Sequence, residues 1–484
     1  MKQQKLMQRL RAGTAGLALL TAGCSVGPNY EKPDVPVPAG WNEAQQNGVS
    51  QQAAELTRWW TAFDDPLLNS LVGRAVQSNL DLRLAEARIR EARALRAVTA
   101  SGAWPAVDVS GSYSRSRASE NAFSSPAQGA GGSFSPVGEG AQDLFRTGFD
   151  ASWEIDLFGG VRRSVEAADA TIEATVEDRR NTLVTLLGDV ANNYIDLRGF
   201  QQRLEVARAN LKAQQETLEI NKIRFEAGLA SDLDVAQAEG QVNITASQIP
   251  LLESSLKQAG HRLDVLVGLQ PGALWAEVSK EAPIPALPPE VLIGLPSELL
   301  RRRPDIRRAE RQLAAATAQV GAVTADLFPR FFLTGAAGLQ SISAGDWLTG
   351  GSRFWSIGPT ITWPIFDAGR IRANIEVRNA QQEQALTQYE KAILTALEDV
   401  ENSLVGYSRE QARYRSLTEA VAANRRAVAM ANELYVNGLV NFLNVLEAQR
   451  SLYASENDLA QSEAAMASNL VSLYKALGGG WETN

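Results

Sequence analysis

One histidine, His261, and one cysteine, Cys24, stand in a chain of 484 residues. Neither a Cys/His metal site nor a disulfide framework can be built within a single copy. His261, between Gly260 and Arg262, reads as a solvated helix residue rather than a catalytic base. Without a phosphate loop or a nucleophile–base pair, the chain is not expected to be an enzyme or to hold a metal or other cofactor. Aromatics are scarce at 7%, while Ala, Gln, Leu and Glu fill the long middle stretches. That composition favours extended helix over a compact mixed globule. Acids outnumber bases, 55 to 47, for a formal charge of −8, and nucleic acid is not an expected partner. The one basic cluster, Arg301, Arg302 and Arg303 before Pro304 and Asp305, marks a helix boundary at the proline.

Residues 1–23 read as an export signal. Lys2, Lys5, Arg9 and Arg11 form a basic start, and Ala12–Ala22 supply an apolar stretch too short to span a bilayer. The run from Leu20 to Cys24 resembles a bacterial lipoprotein processing site, although Thr21 departs from the usual pattern; an ordinary signal peptide is the alternative. Cleavage there makes Cys24 the N-terminus carrying an N-acyl diglyceride lipid, with each buried methylene contributing ~0.8 kcal/mol.

Two halves of the chain repeat one another. Trp153, Ile155, Gly159, Val161 and Arg162 recur as Trp363, Ile365, Gly369, Ile371 and Arg372, a constant offset of about 210 residues. Leu187, Asp189 and Val190 recur as Leu397, Asp399 and Val400, and Gly228 and Leu229 as Gly438 and Leu439. Upstream, Asp81, Arg83, Ala85 and Glu86 match Asp305, Arg307, Ala309 and Glu310 at a larger offset. The first copy therefore holds extra chain between Pro105 and Trp153, where a loop is expected.

Within each copy the strands give the clearest signal. From Phe145, apolar Phe149, Ala151, Trp153 and Ile155 alternate with Arg146, Asp150, Ser152 and Glu154. Trp355, Ile357, Ile361 and Trp363 alternate with Ser356, Gly358, Thr360 and Thr362, and shorter patterns around Val107–Tyr113 and Leu333–Leu339 do likewise. About ten alternating residues fit a transmembrane β-strand, one face in lipid and one in water. A soluble sheet edge is the alternative, and strand number decides between them. Four strands cannot close a barrel, an open edge in lipid leaves backbone groups unpaired, and three copies would give twelve strands. The loops Ser119–Gln142 and Ser343–Arg353 belong at the extracellular side.

After each strand pair comes a proline-free helix, Val161–Ala227 and Ile371–Asn437, each about 100 Å long at ~1.5 Å per residue. Gly228 and Gly438 end them, and Ser231 and Asn441 can cap new helices. The expected domains are a signal at 1–23, an extended Pro-rich segment at 24–65 and repeat 1 at 66–267. A Pro-rich surface linker at 268–296, repeat 2 at 297–478 and a tail at 479–484 follow. Repeat 1 holds a helix, strands about 104–117 and 145–157, and helices about 161–227 and 231–267. Repeat 2 holds a helix, strands about 330–341 and 353–365, and helices about 371–437 and 441–477.

In this order the motifs resemble the TolC-like outer-membrane factors, in the NodT-type lipoprotein branch serving resistance-nodulation-division efflux systems. They are Cys24-Ser25-Val26-Gly27-Pro28-Asn29-Tyr30, Trp59-Trp60 with Phe63, Asp65 and Pro66, Asn79 with Asp81, Arg302-Arg303-Pro304-Asp305-Ile306, the two tips, and Tyr474 through Gly478 to Trp481. The resemblance implies a mixed α/β membrane protein: a homotrimer whose twelve-stranded β-barrel, four strands per chain, continues into a long periplasmic α-helical barrel. It implies a passive exit duct for drugs or other toxic small molecules, lipid-anchored in the outer membrane of a Gram-negative bacterium. The implied partners are a periplasmic adaptor protein, an inner-membrane proton-driven pump and outer-membrane lipid.

Carried over from the family, the periplasmic gate falls on Leu443 and Glu447, one helical turn apart, with Asp234 and Asn444 at matching places after the two tips. The tips Gly228, Leu229 and Ser231, and Gly438, Leu439 and Asn441, resemble adaptor-docking loops. Two other functions remain open at this point: an exit duct for type I protein secretion, and a lipid-anchored periplasmic scaffold without a pore.

Overall fold

A computed structural model describes residues 25–43, 49–50, 56–117, 119, 141–288 and 291–481. The signal segment, Cys24 and most of the first strand-pair loop lie outside the described residues. The chain is mostly helical with one four-stranded sheet, and it divides into two compact units. The first unit draws on Ala92–Ile172, Gln312–Ala385 and the start of the chain; the second takes the rest.

The sheet lies in the first unit. With β1 assigned to the short strand Val49–Ser50, its members are β2 (Ala106–Ser116), β3 (Gln142–Ile155), β5 (Arg330–Ser341) and β6 (Arg353–Thr362). They pair antiparallel in the order β2-β3-β5-β6, so β2 and β6 are its edges. Register places Asp108 opposite Asp150 and Phe149 opposite both Val109 and Ala337. The period-2 pattern becomes two unlike faces. Val107, Val109, Phe149, Trp355, Ile357 and Ile361 all stand exposed. On the other face Asp150 accepts from Ser110 Oγ at 2.6 Å and from Arg146 at 3.2 Å, and Glu154 pairs with Arg330. Trp153 and Trp363 act alike near the strand ends: each indole donates to a carbonyl ahead of a neighbouring strand, Ala103 O at 2.9 Å and Leu327 O at 3.0 Å. β6 stops at Thr362 rather than near residue 365, since Pro364 cannot donate to a ladder.

The helix expected at the head of each repeat is two helices. In the first half α1 (Pro66–Ser78) and α2 (Leu80–Ser101) meet at Asn79, whose Oδ1 accepts from the backbone of Asp81 at 2.8 Å and Leu82 at 3.1 Å. That is capping geometry, which ends one helix and starts the next. In the second half α6 (Pro296–Arg302) and α7 (Pro304–Thr324) break at Arg303, ahead of the proline. The first half continues with α3 (Gly160–Glu226) and α4 (Asp232–Leu266), and between the halves lie α5 (Trp275–Val278) and β4 (Val291–Leu292). After β6 come α8 (Arg370–Val436) and α9 (Phe442–Ala476). The helices α3 and α8 have 67 residues each, and α4 and α9 have 35 each. Among the described residues no helix is long and apolar enough to cross a membrane.

The second unit holds the main core, which includes Trp59, Phe63, Leu71, Leu187, Tyr194, Leu263, Val400 and Leu470. The Pro-rich linker is not a surface strap. It sinks Leu274, Val278 and Ile293 into this core, and its β4 pairs in parallel with β1. The N-terminal segment is held there too: buried Trp41 donates to Gly294 O at 3.0 Å, and Glu401 accepts from the Asn42 backbone at 2.8 Å. His261 is exposed on α4.

Candidate functional site

Both helix-to-helix tips belong to the second unit and are built alike. Gly228 and Gly438 adopt φ of +69° and +73°, the left-handed region in which a β-carbon is costly. After each, the chain closes back on its helix. Gly228 N–H donates to Phe225 O at 2.9 Å and Leu229 N–H to Arg224 O at 2.7 Å; Gly438 donates to Tyr435 O at 3.0 Å and Leu439 to Leu434 O at 2.9 Å. This pair of bonds satisfies the last carbonyls of α3 and α8. Leu229 and Leu439 are left 68% and 70% exposed, apolar side chains presented at the turn.

The helix starts beyond the tips differ. Ser231 and Asp234 form a reciprocal capping box: Asp234 Oδ2 accepts from Ser231 N at 2.9 Å and from its hydroxyl at 2.8 Å. The pattern Ser-x-x-acid before a helix is the sequence signal for that role. At the second tip Asn441 caps α9 without a side-chain bond to the backbone, and Asn444 Nδ2 instead donates to Asn441 Oδ1 at 2.7 Å. Asp234 and Asn444 thus sit in matching places, each tied to its own cap residue.

The hairpins are joined at this end by a small apolar cluster of Ala238, Tyr435, Phe442, Val445 and Leu446. Tyr435 hydroxyl donates to Asn221 Oδ1 at 2.6 Å, and the Arg224 guanidinium lies 4.7 Å from its ring. Burial pushes the Tyr435 phenol above its ordinary pKa, against the pull of Arg224.

With this face of α9 buried, Leu443 and Glu447 project from the other side, and Leu443 is 49% exposed. Glu447 reaches Arg450 at 3.4 Å, a pair weakened by exposure at both ends. Arg450 Nε also donates to Gln241 Oε1 at 2.7 Å, and Gln241 Nε2 reaches Thr245 Oγ1 at 3.4 Å, both on α4. Reading the sequence missed Arg450, Gln241 and Tyr435. Glu447-x-x-Arg450 is a visible helical ion-pair spacing, but nothing in the sequence sets α4 beside α9. The structure brings Leu443 and Glu447 to one face and adds Arg450 to them.

Comparison with known proteins fits this architecture. The sequence profile described as outer membrane efflux protein matches residues 71–269 and 295–479. Nodulation protein T of Rhizobium leguminosarum bv. trifolii is 33% identical over 480 residues, covering 98% of each chain. The toluene efflux pump outer membrane protein TtgF of Pseudomonas putida is 33% identical over 476 residues, 96% of each chain. Among solved structures, the outer-membrane channel OprN superposes with a TM-score of 0.86 at 36% identity, over 95% of this chain and 100% of that one. The chain belongs to the outer membrane efflux protein family, and its place is the outer membrane of a Gram-negative cell.

Proposed function

We propose that three copies of the chain form the outer-membrane exit channel of a tripartite efflux pump and conduct small molecules passively out of the periplasm. The observation that carries this reading is the sheet itself: β2 and β6 each have one partner strand, and the apolar face is exposed. In lipid the unpaired backbone of β2 and β6 needs partners, and closure with the strands of other copies supplies them. Three copies of four strands give a twelve-stranded barrel, within the range that bacterial barrels adopt. The twofold repeat then places six similar strand pairs and six helical hairpins around one axis.

Energy comes from the partners, a proton-driven inner-membrane pump reached through a periplasmic adaptor. The exposed Leu229 and Leu439 offer the adaptor an apolar grip at the turns that also hold Gly228, Ser231, Gly438 and Asn441. Leu443 and Glu447 narrow the mouth, with Asn444 between them on the same helix and Asp234 at the matching place after the first tip. Cys24 carries the lipid anchor. Small molecules are the favoured cargo because the similar TtgF is named for toluene efflux. The test is reconstitution of the full chain in planar bilayers together with cross-linking in native membranes. Discrete conductance steps and a trimer are expected; a silent bilayer or a monomer would overturn the proposal.

A further inference from the structure

The first described residues, directly after Cys24, are not a loose tether. Val26 N–H donates to Phe158 O at 3.2 Å, three residues beyond the end of β3. Gly27 has φ of +87°, and a β-carbon built on it would stand 2.4 Å from Gly321 Cα on α7. Gly321 also faces the Arg163 side chain, whose Cδ and Nε would lie 3.0 Å from a β-carbon there. Arg163 is only 5% exposed, donates to Val26 O at 3.2 Å and to Asn29 Oδ1 at 2.6 Å, and is neutralised by Glu166 at 2.8 Å. Ser25 rests on Gly159, itself at φ of +81°, with Ser25 Oγ 2.9 Å from where a β-carbon would be. All these residues lie in the first unit.

The internal repeat supplies a control. Gly369, the counterpart of Gly159, has nearly the same backbone, φ of +84°, but nothing within 4 Å of a built β-carbon. The counterpart of Arg163 is Ala373. One of two equivalent strand-to-helix junctions has thus acquired a buried cation and an occupant against its glycine, while among the described residues the other has neither. A buried guanidinium is costly unless its donors are matched, and here the match comes from residues 26 and 29.

We infer that Ser25–Asn29 is a docking peg, held by Phe158, Gly159, Arg163 and Gly321, that fixes the lipid-bearing end of the chain to the junction where β3 gives way to α3. The ligand of this groove is the acylated N-terminal segment itself, a reading that rests on the lipidation of Cys24. One peptide link, ~3.8 Å between α-carbons, separates Ser25 from the acylated residue. Ser25, the residue next to the lipid site, is therefore held at the foot of the sheet. Because the peg touches both β3–α3 and α7, it also ties the first half of the chain to the second.

The experiment uses the full chain in its own membrane with Ser25→Cys and Gly159→Cys together, and a protease site inserted between β2 and β3. A β-carbon on Gly159 lies 3.3 Å from Ser25 Cβ, close enough for a disulfide. After cleavage the two fragments are expected to stay joined until reduced. Adding Gly27→Ala or Arg163→Ala is expected to lower the joined fraction severalfold, and pairing Ser25→Cys with Gly369→Cys to leave the fragments separate. Absence of the link, indifference to both added substitutions, or equal linking to Gly369→Cys would overturn the peg. Where Gly159→Cys blocks insertion, cleavage after Glu31 by a glutamate-specific protease decides: protection in the unaltered chain and cutting in Gly27→Ala support the peg, and equal cutting rejects it. Palmitate incorporation in the same samples judges lipidation separately, since unlabelled protein with an intact cross-link removes the lipid and keeps the docked segment.

Discussion

Arg450 donates its Nε–H to Gln241 at 2.7 Å and thereby fastens the helix after the second tip to the helix after the first. The same guanidinium holds Glu447 at 3.4 Å, so the acid of the proposed gate and the link between hairpins share one cation. A half-exposed charged hydrogen bond contributes on the order of 1 kcal/mol, enough to shift a two-state mouth severalfold. Arg450→Ala and Gln241→Leu are each expected to raise the open population, read as larger single-channel conductance and greater vancomycin sensitivity. Leu443→Ala with Glu447→Ala should leak as well. Unchanged conductance and sensitivity in all three would remove this face of α9 from the gate.

At the tips the prediction concerns partners rather than stability. Leu229 and Leu439 are exposed and their turns are closed by backbone bonds, so replacing the side chains should leave the fold and the trimer intact. Leu229→Asp or Leu439→Asp is expected to abolish efflux and adaptor cross-linking while the trimer band persists. Normal efflux with either variant would count against adaptor docking there.

Asp305 carries a pH dependence. Burial works to raise its carboxyl, but the two-pronged pairing with Arg303, 3.1 and 2.7 Å, outweighs that and holds it below the usual carboxylate range. A depressed folded pKa gives stability that is present above the ordinary carboxylate value of about 4 and lost as pH falls through the lower folded value. Losing these charged hydrogen bonds in Asp305→Asn, with Arg303 still paired to Asp399, should cost about 2 kcal/mol near neutrality, and the variant should unfold with a shallower acid slope than the unaltered chain. Thermal melts in detergent from neutral to strongly acidic pH check the sign; parallel curves would reject it.

Two cations pack against the ring of Trp481 near the end of the chain. Arg180 and Arg307 stand 4.6 and 5.2 Å from its ring, and both also pair with Glu177. Trp481→Ala is expected to cost about 1–2 kcal/mol, a lower melting temperature, and Trp481→Phe to restore part of it. Equal melting of all three chains would show that the ring adds nothing.

The sequence exposed the strands because a sheet with one apolar face must alternate, and it exposed the tips because a helix that ends in a left-handed residue favours glycine. It marked the break ahead of Pro304 in the second half but not the one at Asn79 in the first, since a cap and a mid-helix polar residue look alike until the chain turns. The linker misled for the opposite reason. Its prolines signalled irregular backbone correctly, but irregular chain can still bury Leu274, Val278 and Ile293. Asp234 was legible as an acid after the tip, and the Ser231-x-x-Asp234 spacing carried the capping signal that the observed bonds to Ser231 realise.

By itself the sequence determined the elements: alternation marked the strands, unbroken Ala- and Gln-rich runs the long helices, and glycines their ends, while one Cys and one His leave no Cys/His cluster or disulfide within a single copy. These are local consequences of backbone periodicity. Only the tertiary structure decided which side chains meet across distant segments: Arg450 with Gln241, Tyr435 with Asn221, and Gly27 with Gly321. Such pairings depend on the register of one helix or segment against another, a few ångströms set by packing that no local pattern encodes.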